Sequence, residues 1–106
     1  MKKELKLWLE QNLYSLALLD AGEYELLLNT LPYEYVGTLL NILRELNLTQ
    51  CTAFTVWQGN KNVKTTLLDE EDYKQSVDWA IRNLGVDTYW YITEDESGEI
   101  IWINEK

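Results

Sequence analysis

The sequence predicts an α+β fold: three amino-terminal helices, then a ββαββ unit with a four-stranded, mainly antiparallel sheet. Three observations predict it. Apolar residues recur at helical spacing up to about residue 48. From Cys51 onward, β-branched and aromatic residues come in short blocks closed by turn residues. One helical stripe, between Tyr73 and Leu84, separates two such pairs of blocks.

The first helix carries Leu5, Trp8, Leu9, Leu13 and Leu16 on one face and is expected to end near Leu19. Asp20-Ala21-Gly22-Glu23 reads as a break, with Asp20 capping a second helix and Glu23 three residues on. Tyr24, Leu27, Leu28 and Leu31 form that helix's stripe. Pro32 suits the first turn of a third helix, where its missing amide proton costs nothing, and Val36, Leu39, Leu40 and Leu43 form the stripe there. Leu7, Tyr14, Leu26 and Ile42 fall off these faces.

Thr52 to Trp57 and Val63 to Leu68 read as strands joined through Gly59-Asn60-Lys61-Asn62. A helix with Tyr73, Val77, Ala80, Ile81 and Leu84 on one face follows, stopped by Gly85. A second hairpin pairs Thr88 to Thr93 with Glu99 to Asn104 through Asp95-Glu96-Ser97-Gly98. The helical half, 1–48, and the ββαββ half, 51–106, are expected to form a single domain around one core, because each alone would leave an apolar face uncovered.

With 106 residues, 46% of them hydrophobic, the chain is long and apolar enough to fold in spite of its charge. Eighteen acidic against nine basic residues give a net charge of −9, which disfavours nucleic acid or an anionic membrane as a partner and favours a basic one. The excess is concentrated late: 11 of the acids lie after residue 50. A single cysteine forms no internal disulfide, no stretch reads as a targeting segment or membrane span, and a cytoplasmic location is expected.

No histidine is present, which removes the commonest general base and most zinc sites, and no phosphate-binding glycine loop occurs. Neither an enzyme nor a cofactor is expected. Cys51, beside a strand, reads as a small hydrophobe rather than a reactive thiol. Two acidic clusters stand out instead. Asp69-Glu70-Glu71-Asp72 has a structural explanation in helix capping, with Asp69 as the N-cap, and in dipole complementation. Glu94-Asp95-Glu96 reads as a solvated hairpin tip, without the alternating ligands of a calcium loop. Taken together they suggest more. Carboxylates at alternate strand positions stand about 6.6 Å apart, close to the spacing of neighbouring phosphates, so such a row imitates DNA. Trp79, about 120° from Tyr73 around the helix at 100° per residue, is either core or an exposed contact residue.

The segment Phe54-Thr-Val-Trp-Gln-Gly-Asn60, the acidic-start helix Glu70 to Gly85, and Tyr89-Trp-Tyr-Ile-Thr-Glu-Asp95 resemble the strand, helix and acidic strand unit of ArdA-type antirestriction proteins. The likeness covers fewer than half the residues, and the family's YNxG-like segment is missing. It implies an elongated acidic DNA mimic, carried by a phage or other mobile element, that occupies the nucleic-acid-binding site of a host nuclease or defence complex. The partner-binding residues expected on this reading are Asp69, Glu70, Glu71, Asp72, Trp79, Glu94, Asp95 and Glu96. The competing expectations are an immunity protein or antitoxin that neutralises a basic nuclease or toxin, and an acidic adaptor domain with no inhibitory role.

Overall fold

The computed structural model describes residues 2–105, which fall into two compact units divided between residues 49 and 50.

The first unit is helical, with four α-helices rather than the expected three. Helix α1 (Lys2–Gln11) stops at Asn12, and α2 (Leu13–Ala21) begins directly after it. Asn12 leaves the helical conformation at φ −126° and ψ 82°, and its Nδ2 donates to the Trp8 carbonyl at 2.7 Å. An asparagine amide competes in this way with the helix's own ladder, a local effect that hydrophobic periodicity does not register. The break changes the phase of the apolar face. Leu13, expected in the stripe, is 73% exposed, while Ser15 and Leu18 turn inward and Ser15 Oγ meets Thr30 Oγ1 at 2.8 Å.

Asp20 is not a cap, because α2 runs through it to Gly22. Gly22 adopts φ 76°, where a side chain would be strained, and its N–H returns to the end of the helix. Helix α3 (Tyr24–Thr30) starts from Glu23 without a side-chain cap. Pro32, at φ −54° and ψ 137°, lies outside the helix and leads through a 3-10 turn at Tyr33–Tyr35 into α4 (Val36–Glu45). The stripe residues Leu27, Leu28, Leu31, Val36, Leu39, Leu40 and Leu43 are all buried, as their spacing predicts.

The second unit is the ββαββ arrangement. Strands β1 (Thr52–Gln58) and β2 (Lys61–Leu68) form a hairpin closed by Gly59-Asn60. Gly59, at φ 62°, supplies the positive first position of a type II′ turn. After a 3-10 turn at Glu70–Asp72 comes α5 (Lys74–Leu84), then β3 (Trp90–Glu94) and β4 (Glu99–Asn104). The sheet order is β2-β1-β3-β4, antiparallel throughout. Strand β3 starts at Trp90, two residues later than expected, because Thr88 Oγ1 is held by the Leu84 carbonyl at the end of α5.

Alternation places Phe54, Val56, Trp90 and Ile92 on the face that α5 covers, where they meet Val77 and Ala80. The buried side of α5 is Ser76, Val77 and Ala80, flanked by Tyr73 and Leu84. Ile81, expected in this stripe, is 41% exposed. Trp79 sits on the opposite flank of the helix, yet its indole reaches the core edge and packs there, partly buried. The face is therefore rotated away from Ile81 towards Ser76, a small polar residue that a search for apolar spacing passes over. Ile81→Ala is accordingly expected to change stability by less than about 1 kcal/mol, as at other surface positions. Denaturant unfolding checks this, and a loss above about 2 kcal/mol would restore Ile81 to the core.

Candidate functional site

The sheet and the turn before α5 bring Glu70 of the first acidic cluster and Glu94 of the second to one depression. Strand β1 lies between β2 and β3, and Phe54 is the cross-strand partner of Glu94. The hairpin register then sets Glu94 directly opposite Glu99. The 3-10 turn leaving β2 carries Glu70, and Tyr73 follows it at the head of α5. Phe54 and Tyr73 pack as tilted rings with centroids 6.4 Å apart. The result is a depression of about 450 Å³ lined by Glu70, Glu94 and Glu99 together with Phe54, Tyr73, Ile100 and Ile101.

Like charges placed directly opposite on neighbouring strands weaken a sheet. The ion pair of Lys2 with Glu45, at 3.6 Å, lies in the helical unit. Neutral donors hold Glu94 instead. Its carboxylate accepts from Ser97 Oγ and from the backbone N–H groups of Glu96 and Ser97 at 3.0 and 3.1 Å. Thr52 Oγ1 stands 3.0 Å from both Glu94 Oε1 and Glu96 Oε1, so one hydroxyl proton serves two carboxylates.

Partial burial by itself would raise the pKa of Glu94, but the bonds from Ser97, Glu96 and Thr52 outweigh it and hold the carboxyl below the ordinary glutamate value. A pKa lowered on folding means that ionised Glu94 stabilises the fold above the unfolded value, and that this contribution is lost as pH falls through the folded one. Glu94→Gln is therefore expected to flatten the loss of stability on acidification below the ordinary glutamate value. A pH series of denaturation curves measures it, and an unchanged acid limb would contradict the hydrogen-bonded role.

The expected partner-binding residues separate into three groups. Asp69, Glu70, Glu71, Asp72 and Glu96 are exposed, and Glu94 is half-buried at the depression. Asp69 makes no side-chain cap bond; its carbonyl accepts from Asp72 N–H at 2.8 Å, and its Oδ1 lies 3.9 Å from Cys51 Sγ. The capping explanation of the first cluster therefore falls away, and its carboxylates are left facing solvent. Trp79 packs on the core edge, without the full exposure expected of a contact residue.

Asp95 is corrected outright, because it is only 9% exposed and turned inward. Thr55 Oγ1 donates to its Oδ2 at 2.6 Å and Thr93 Oγ1 to its Oδ1 at 3.1 Å. Since the single Thr55 proton goes to Asp95, the 2.9 Å contact between Thr55 and Thr65 must be donated by Thr65. Trp57 Nε1 donates to Thr93 Oγ1 at 2.8 Å and completes a second chain of bonds ending on the same carboxylate. Burying a charge demands such partners, and the alternation of Thr55 and Trp57 against Thr93 and Asp95 supplies them on one face of the sheet.

Sequence reasoning missed Glu99, Phe54 and Tyr73 as parts of the site. The signal for Glu99 lay in the hairpin itself, because a four-residue turn after Glu94 sets Glu99 across from it. Among the described residues no group of three potential ligands is arranged to hold a metal, and no helix is long and apolar enough to cross a membrane. The class of surface that results is a depression lined by acidic, aromatic and aliphatic residues on an α+β chain. The chain matches no family model, no curated protein and no solved structure.

Proposed function

We propose that this chain is a small acidic inhibitor that occupies the basic, nucleic-acid-binding surface of another protein, offering carboxylates where phosphates would bind. The observation that carries this reading is the cross-strand pair Glu94 and Glu99, joined at one depression by Glu70. Hydrogen bonds from Ser97, Glu96 and Thr52 hold Glu94 ionised beside Glu99, so the depression presents negative charge that a basic surface can meet. The carboxylate row is Glu70, Glu94, Glu96 and Glu99, without Asp95, whose oxygens serve the fold. A host defence nuclease, met inside the cell by a protein from a phage or mobile element, is the partner class that fits the acidity and the absence of catalytic motifs.

A second reading has an observation of its own. Ile100, Trp102 and Ile103 are exposed beside the acidic residues, and a purely electrostatic mimic has no use for them. They favour one dedicated protein partner, as an immunity protein or antitoxin has. Both readings predict capture of a basic protein, and the variant Glu70→Gln, Glu94→Gln, Glu99→Gln tests them together. It is expected to keep its fold, to lower the association rate by about tenfold or more, and to remove most of the salt dependence of binding. Stopped-flow association at several ionic strengths measures this, and an unchanged rate would contradict the proposal.

A further inference from the structure

We infer that β4 is an open docking edge that takes an extended, basic segment of a partner protein as a fifth strand, with an arginine or lysine of that segment entering the depression at Glu70, Glu94 and Glu99. The inference rests on the acidic reading above and goes beyond it in naming the shape of the partner.

Strand β4 is the outermost of the order β2-β1-β3-β4, so its outer row of N–H and C=O groups has no partner strand. Natural sheets guard such an edge with lysine, proline or charge. The opposite edge does so, since β2 carries Lys61 and Lys64. From Glu99 to Asn104, β4 carries one charge, Glu99 at its first position, and no lysine, arginine or proline, and Ile100, Trp102 and Ile103 are 50%, 37% and 49% exposed. A bulge at Ile101 turns that side chain onto the core and leaves Trp102, Ile103 and Asn104 in regular register with Ile92, Tyr91 and Trp90. The outer side of that run offers a ladder for strand addition, with exposed apolar side chains on it.

Charge selects the occupant. The depression that begins at Ile100 and Ile101 is lined by three acidic residues, so a strand laid along β4 gains most when it carries a cation at that end. A second copy is disfavoured, because each chain brings a net charge of −9 and β4 begins at Glu99 and is followed by Glu105.

The test titrates the full chain, isotope-labelled for NMR, with a synthetic peptide alternating arginine and valine, and with the same peptide N-methylated at alternate backbone amides. Amide shifts concentrated at Glu99 to Asn104, and affinity about tenfold or more weaker for the methylated peptide, are the expected result, because methylation removes the ladder bonds and keeps the charge. Shifts centred elsewhere would overturn the inference, as would a chain dimer formed through β4 in sedimentation equilibrium. Equal binding of the two peptides, weakened for both by Glu70→Gln with Glu94→Gln, would also overturn it while leaving the acidic site standing. Loss of the acidic reading would show differently, as peptide binding indifferent to those two variants.

Discussion

Trp90→Ala is expected to destabilise the strand-bearing unit by about 3 to 5 kcal/mol, the range for emptying a core position of a large aromatic side chain. Trp90 is fully buried between the sheet and α5, in contact with the cluster that contains Phe54, Val77, Ala80 and Ile92. Its Nε1 also donates to the Gly85 carbonyl at 2.9 Å and so ties the end of α5 to the start of β3. Trp90→Phe separates the two contributions. It keeps most of the apolar volume and loses the bond, so a loss of about 1 to 2 kcal/mol is expected. Denaturant titration followed by far-ultraviolet circular dichroism measures both. A loss below about 1 kcal/mol for the alanine variant would contradict the assigned core.

The second large effect falls on Asp95. Asp95→Ala leaves the buried hydroxyls of Thr55 and Thr93 without their acceptor, and a buried donor left unmet costs about 1 to 3 kcal/mol, so about 2 to 4 kcal/mol is expected for the pair. Asp95→Asn retains one acceptor oxygen but turns an amide donor towards a hydroxyl that must donate, and is expected to lose about half as much. The same substitutions would change little if Asp95 stood at a solvated hairpin tip. A loss below about 0.5 kcal/mol for Asp95→Ala would therefore return it to the surface and to the candidate binding residues.

The stripes from Leu27 to Leu43, the two hairpins and their turn residues were legible in the sequence, because each depends on local periodicity and turn chemistry. What was not legible depended on side-chain hydrogen bonds and register. Asn12 breaks a helix whose apolar spacing runs straight through it. Ser76 occupies the core side of α5, so the stripe was read with Ile81 in its place. Asp95 looks like its acidic neighbours until Thr55 and Thr93 are seen to converge on it. Of the candidate site, the acidic segments that contribute Glu70 and Glu94 stood out in the sequence, whereas their convergence, Glu99 and the aromatic lining needed the strand register.

If the acidic face occupies a surface made for nucleic acid, an oligonucleotide and this chain compete for the same partner. The most direct measurement captures the partner from a host lysate on the immobilised chain, purifies the complex, and adds increasing amounts of an oligonucleotide that the partner binds. Displacement of the chain is predicted, with an apparent affinity that falls in proportion to oligonucleotide concentration, because two ligands of one surface exclude each other. Simultaneous binding of protein and nucleic acid, with neither weakening the other, would contradict the claim and leave Glu70, Glu94 and Glu99 without the role proposed for them.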